Sequence, residues 1–278
     1  MKIGIVYHDD LDGKCSAAII YYYYRNHKDV KISFFPYNYS EDISKYLYDF
    51  NKLYIVDCVL DDGVMTKLFE DKYKDNMIWI DHHISNIMNT NSSIYGLRYP
   101  NKGAACILTW KYLFGEEQVP SSAEYISDRD VWEWKYDKLT KGFTEWLEIQ
   151  ENDPSNSELW FGIIGDNRYI GKYIDQGMIA YNARINLLKR DVDSISYESE
   201  IDGKKCLKMN YSSKYSTSDV CYYMLEKGYD IAWVWHEMSN GKIYNSHRGN
   251  GKYDVSKIAE KFGGGGHKKS SGFISKKN

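Results

Sequence analysis

Ile3-Gly4-Ile5-Val6-Tyr7-His8-Asp9-Asp10-Leu11-Asp12-Gly13 is the stretch on which the fold turns. It begins as a short apolar run and breaks off in a polar cluster, the pattern of a buried strand that ends at a site. Residues 15–24 are mostly apolar with small side chains first, which predicts a buried helix. Working outward, residues 30–35 read as a second strand and 43–50 as an amphipathic helix. Residues 53–56 form a third apolar run that stops at Asp57. Residues 62–73 read as helix, and 77–80 form a fourth run that stops at Asp81-His82-His83. Strand and helix in alternation predict a doubly wound α/β domain with a mainly parallel sheet. Ligands of such sheets bind beyond the carboxyl ends of the strands. Asp10, Asp57 and the Asp81-His82-His83 triplet are therefore expected to converge on one edge.

Further along, residues 103–114 read as helix, and 122–134 contain Ser127-Asp128-Arg129-Asp130. Residues 153–157 are rich in turn formers. Ile174, Met178, Tyr181, Ile185 and Leu188 recur at helical spacing over residues 172–192. From about residue 197 the runs become shorter and strand-like, with helical stretches at 220–227 and 255–262. The chain closes on Gly263-Gly264-Gly265-Gly266-His267 and a last strand near 270–274. We expect a first domain over 1–165, a linking helix over 166–195 and a smaller α/β domain over 196–278, with a cleft between the two domains.

The composition bounds the function. The 278 residues are 43% hydrophobic and 27% charged, ordinary for a globular chain. The formal net charge is −3. Proteins that grip long DNA or RNA carry a basic excess to neutralise phosphates, so a short phosphate substrate fits better. Five scattered cysteines, with no C-x-x-C spacing, argue against a disulfide framework or a zinc–thiolate site. No signal peptide or membrane-spanning run is visible, which leads to the expectation of a cytoplasmic protein without a membrane partner.

Each polar cluster has an ordinary reading. Asp57 suits a helix cap, Asp128-Arg129-Asp130 a surface salt-bridge group, and the glycine run a loop. His8, Asp10 and Asp12 alternate, and in extended chain alternate residues share a side. One imidazole with two carboxylates suits Mn²⁺ or Mg²⁺. Backbone N–H groups exposed by glycines can cradle a phosphate, with His267 as a further donor.

Taken in order, His8-x-Asp10-x-Asp12-Gly13, Asp57, Asp81-His82-His83, Asp128 and Gly264-Gly265-Gly266-His267 resemble the DHH phosphoesterases that carry a C-terminal DHH-associated domain. That family includes RecJ-type exonucleases, nanoRNases, cyclic-dinucleotide phosphodiesterases and manganese pyrophosphatases. The resemblance implies two divalent cations, Mn²⁺ ahead of Mg²⁺. His8 and Asp10 would hold one, Asp12, His82 and Asp128 the other, with Asp57 bridging. Asp81 would orient a histidine, and His83 would donate to the substrate phosphate, with Arg129 as a second candidate. Residues 264–267 and Arg248 would hold the far end of the substrate. A water activated by the cations would attack phosphorus, with no protein nucleophile. The expected substrates are short oligoribonucleotides or dinucleotides, cut to nucleoside monophosphates. The alternatives are a 3′,5′-bisphosphate, a cyclic nucleotide or cyclic dinucleotide, or a nucleotide-binding sensor without turnover.

Overall fold

A computed structural model describes residues 1–38, 42–90, 93–100, 102–211, 215–238 and 240–276. The chain divides into two compact units, Met1–Tyr181 and Asn182–Asn278. The boundary falls inside one long helix.

The first unit contains β1 (Lys2–His8), α1 (Leu11–Tyr23), β2 (Lys31–Tyr37), β3 (Lys52–Val56), α2 (Asp62–Leu68) and β4 (Met77–Ile80). A 3₁₀ turn, Ser44–Asp49, precedes β3, and a π-helical turn, Phe69–Tyr73, extends α2. The four strands form one sheet in the order β2-β1-β3-β4, and every pairing is parallel. Apolar residues alternate between its faces. Ile3, Ile5, Tyr7, Tyr54, Val56, Ile78 and Ile80 pack with Ala17 and Ile20 of α1. Val6, Leu53, Ile55, Met77 and Trp79 pack on the other face with Leu47, Met65, Leu68 and Tyr73. Both faces are covered, which is why the strands read as continuous apolar runs.

The chain leaves β1 for β2 on one side, then returns to place β3 on the other. The topological switch point therefore lies between β1 and β3, where α/β sheets open a crevice at their carboxyl ends. β1 ends there at His8 and β3 runs into Asp57.

Beyond β4 the first unit contains the helices α3 (Ile84–Asn89), α4 (Ala105–Phe114), α5 (Ser121–Asp130), α6 (Lys138–Glu148) and α7 (Ser157–Gly165). Phe143, Trp146, Leu147, Trp160 and Ile163 pack with Ala18 and Ile19 of α1. The sequence pattern did not single out α6 or α7.

α8 (Ile170–Ile195) follows. Its Ile174 belongs to the core of the first unit, and its Leu188 and Val192 to the core of the second. The second unit comprises β5 (Tyr197–Ile201), β6 (Lys204–Asn210), α9 (Thr217–Glu226), β7 (Ile231–Glu237), β8 (Lys242–Gly249), α10 (Ser256–Glu260), β9 (Gly265–His267) and β10 (Ser270–Lys276). Its sheet runs β5-β6-β7-β8-β10-β9, and only β6 and β7 pair in parallel. The fold class expected from the sequence is thus present: a parallel α/β sheet followed by a second sheet domain. All five cysteines are buried free thiols. No helix among the described residues is long and apolar enough to cross a membrane.

Candidate metal centre

β1 stops at His8 because Asp10 takes the N-cap of α1. Its Oδ1 accepts from the Gly13 N–H at 3.0 Å. The turn is so tight that a Cβ on Gly13 would lie 2.0 Å from the His8 carbonyl oxygen. The helix therefore begins between Asp10 and Asp12, and the three residues do not share one extended face. His8 and Asp10 group with Asp57, whereas Asp12 groups with His82 and Asp130.

In the first group, Nδ1 of His8 lies 2.7 Å from Oδ2 of Asp10 and 3.6 Å from Oδ2 of Asp57. In the second, Nε2 of His82 lies 3.3 Å from Asp130, 3.4 Å from Asp57 and 3.7 Å from Asp12. Asp57 therefore faces both groups. It is buried, and its backbone sits at φ 59, in the left-handed region that few residues with side chains adopt. Among the described residues, neither carboxylate oxygen of Asp57 has a hydrogen-bond partner, nor has Nε2 of His82. Buried polar atoms left unpaired are costly and call for a ligand. Carboxylate oxygens with imidazole nitrogens make a donor set suited to divalent cations of intermediate hardness, so the residues present fit such ions.

The charges explain the titration. Burial, with the charge of nearby Asp10 adding to it, raises Asp57 to about 7. Burial, reinforced by Asp57 and Asp130, also raises Asp12 well above the usual carboxylate range. The carboxylates of Asp10, at 2.7 Å, and then of Asp57, at 3.6 Å, raise His8 to about 10. Asp10 lies low because its bonds from His8 and the Gly13 N–H outweigh burial. A crowd of carboxylates that holds protons back in this way is a site short of positive charge.

Asp81 stands behind this centre. It accepts from both the backbone N–H and Nδ1 of His83 at 2.9 Å, and from Nδ2 of Asn86 at 2.8 Å. Its bond raises His83 to about 9.

Asp128, expected as a ligand, is not among the groups brought together here. Its Oδ1 accepts from the Lys135 N–H at 2.7 Å, and its Oδ2 from the Tyr136 N–H at 3.2 Å and from the Thr140 hydroxyl. On a helix two residues turn through about 200°, so Asp128 and Asp130 face opposite ways. Asp130 stands four residues after Ile126, on the same face, and both line a pocket of about 240 Å³ with Asp10 and Asp12. That spacing was the available signal for Asp130. Arg129 lines the same pocket and pairs with Glu148 at 3.2 Å.

The remaining expected residues lie in the second unit. Arg248 on β8 donates to the Ser246 hydroxyl at 3.0 Å, the His247 carbonyl at 3.1 Å and the Ser218 hydroxyl at 3.4 Å. Gly265, Gly266 and His267 form the edge strand β9 rather than a loop. A Cβ on Gly264 would fall 2.2 Å from the Gly272 carbonyl oxygen, and one on Gly266 2.5 Å from that of Ser270. Close approach to β10 therefore accounts for these two glycines, while Gly265 faces open space.

Known proteins are similar to this chain in sequence or in fold. An uncharacterized protein of Acanthamoeba polyphaga mimivirus is 26% identical over 94% of the chain, which spans 64% of that relative's length. Among solved structures, the DHH domain of a member of the s1p family of ribosomal proteins is similar, with a TM-score of 0.61 at 14% identity. That match covers 99% of this chain and 82% of the other. RecJ of Thermus thermophilus in complex with Mn²⁺ gives a TM-score of 0.56 at 15% identity, covering 99% of this chain and 49% of RecJ. A pGpG-specific phosphodiesterase, PggH of Vibrio cholerae, gives 0.55 at 12% identity, covering 99% and 94%. At these identities the structures speak for the fold. Residues 2–129 match the DHH family, N-terminal domain. Over that stretch, which is less than half of the chain, the sequence is similar to the DHH family.

Proposed function

We propose that the chain is a phosphodiesterase that uses two divalent cations, Mn²⁺ first, to cut short oligoribonucleotides or dinucleotides to nucleoside monophosphates. The observation that carries this reading is Asp57, a buried carboxylate in left-handed backbone, without a hydrogen bond at either oxygen and shared by two groups of possible ligands. His8, Asp10 and Asp57 would hold one cation. Asp12, His82 and Asp130 would hold the other, with Asp57 common to both. When bound, such cations offset phosphoryl charge and supply a nucleophile from water near neutral pH.

The protein's own groups do the rest. Asp81 fixes the ring of His83 through Nδ1. The Asp81 carboxylate raises His83 to about 9 in the metal-free fold, and in its protonated form the ring can give its Nε2–H to a phosphoryl oxygen. Such a donor aimed at developing charge is a common source of transition-state stabilisation. Substrate size follows from charge: a net −3 gives no general grip on a long polyanion. PggH, whose fold is similar, acts on a dinucleotide, pGpG. We extend the reading to residues 264–267 and Arg248 as further substrate-binding candidates.

The experiment compares wild type with Asp57→Ala on a linear diribonucleotide, a longer RNA, a cyclic dinucleotide, cAMP and a 3′,5′-bisphosphate, each with Mn²⁺ or with EDTA. Mn²⁺-dependent cleavage, fastest on the diribonucleotide and lost in the variant, is the expected result. Tight binding without turnover of any of them would replace it with a sensor.

A further inference from the structure

Seven residues after α5, 131–137, carry the strongest backbone anomaly in the first unit. Trp132, Trp134 and Asp137 stand at φ 60, 56 and 42. Bulky side chains avoid this left-handed region, and such strain persists only where the surroundings over-determine it. Here Asp128 does so. Its carboxylate takes the N–H groups of Lys135 and Tyr136 together with the Thr140 hydroxyl, and its carbonyl takes the N–H of Glu133 at 3.1 Å.

The segment so fixed does not place Trp132 in the core. The side chain remains 46% exposed and lines the pocket that also holds Asp10, Asp12 and Asp130. Its ring meets that of Trp134 edge-on at 4.9 Å, which buttresses it from the side. A strained backbone that keeps a large aromatic ring at the surface, against carboxylates that could hold a cation, suits a ligand with two parts. One part would be anionic and go to the cations. The other would be flat and uncharged and lie on the indole.

We propose that Trp132 is the stacking platform for the heterocyclic base of the nucleotide whose phosphate is held at the metal centre. This rests on the phosphodiesterase reading above and names the contact that gives it a nucleotide substrate. Stacking is tolerant of sequence because every base has a π-face, so the site should favour a base over none and distinguish poorly among bases.

The test measures binding of adenosine 5′-monophosphate and of ribose 5-phosphate by calorimetry, with Mn²⁺ present. The proteins are wild type, Trp132→Ala, Trp132→Phe and Trp132→Gly. Glycine accepts φ 60 without strain, so this variant is expected to melt no lower than Trp132→Ala and guards against loss of fold. Wild type should prefer the base-bearing ligand. In the Ala and Gly variants its Kd should rise about 5- to 150-fold and the preference should collapse, while Phe keeps most of it. Equal weakening of both ligands, an unchanged Kd for adenosine 5′-monophosphate, or no preference in wild type would each overturn the proposal. If no diester is hydrolysed while the Trp132-dependent preference holds, the phosphodiesterase reading fails and the stacking site stands.

Discussion

Oδ1 of Asp12 accepts the backbone N–H of Cys106 at 2.8 Å, and Oδ2 that of Ala105 at 2.7 Å, so a residue of α1 caps the first turn of α4. The same carboxylate faces His82 in the metal centre. Asp12 therefore ties a structural duty to a chemical one. Asp12→Ala should leave two buried N–H groups unpaired and cost about 1–3 kcal/mol each at most, and should weaken cation binding besides. Chemical denaturation with EDTA isolates the first effect, and titration with Mn²⁺ the second. A variant as stable as wild type in EDTA would show that the cap contributes nothing.

Asp130→Asn and Asp128→Ala should part company. The first removes a carboxylate from the centre without touching the core, so it should fold normally and bind Mn²⁺ about 10- to 100-fold more weakly. The second leaves the Lys135 and Tyr136 N–H groups and the Thr140 hydroxyl without their acceptor. A loss of about 2–4 kcal/mol in stability is expected. Calorimetric Mn²⁺ titration and urea melts on both variants decide it. A stable Asp128→Ala that fails to bind Mn²⁺ would return the ligand to Asp128.

That pair also shows what the sequence made legible. The strands of the first unit are apolar runs ending in His8, Asp57 and Asp81, so the sheet and the gathering of its polar ends could be read directly. Choosing between Asp128 and Asp130 required the phase of α5, set by Ile126 on the pocket side. The split of His8 and Asp10 from Asp12 depends on the helix starting at Leu11, which Asp10 decides by capping Gly13. α6 and α7 escaped notice because aromatic and apolar residues such as Phe143, Trp146 and Trp160 pack in a helical layer away from the sheet. The edge strand β9 carries only glycines and His267, and glycines signal turns, not strands.

His83 and Asp81 should separate by magnitude. Removing the donor, His83→Ala, is expected to lower kcat about 10²- to 10³-fold with less change in KM. Asp81→Asn keeps an acceptor for the His83 N–H groups but removes the charge that raises the imidazole, and should cost about 10- to 100-fold. The pH profile supplies the second readout. With the Asp81 charge gone, the fall in rate on the alkaline side should begin at lower pH. Steady-state kinetics from about pH 6 to 10 with the diribonucleotide measure both, and an unshifted alkaline limb would remove Asp81 from this role.

Protons and cations compete for the same atoms. In the metal-free fold Asp57 has its pKa raised to about 7 and His83 to about 9. A group raised in the folded state contributes stability that is complete below its unfolded pKa and is lost as pH rises through its folded pKa. For Asp57 that window runs from 3.8 to about 7, and for His83 from 6.5 to about 9. His8, raised to about 10, acts in the same direction. The lowered groups, Asp10 and Asp81, lose their contribution only as pH falls through the acid range. Protein in EDTA should therefore become less stable from about pH 6 to pH 9. Bound cations displace the protons from Asp57 and His8, and their affinity should rise over the same range. The difference in Tm between Mn²⁺-loaded and EDTA-treated protein is thus expected to widen with pH. Thermal melts at several pH values test this. A constant difference would mean that these carboxylates and imidazoles do not hold the metal.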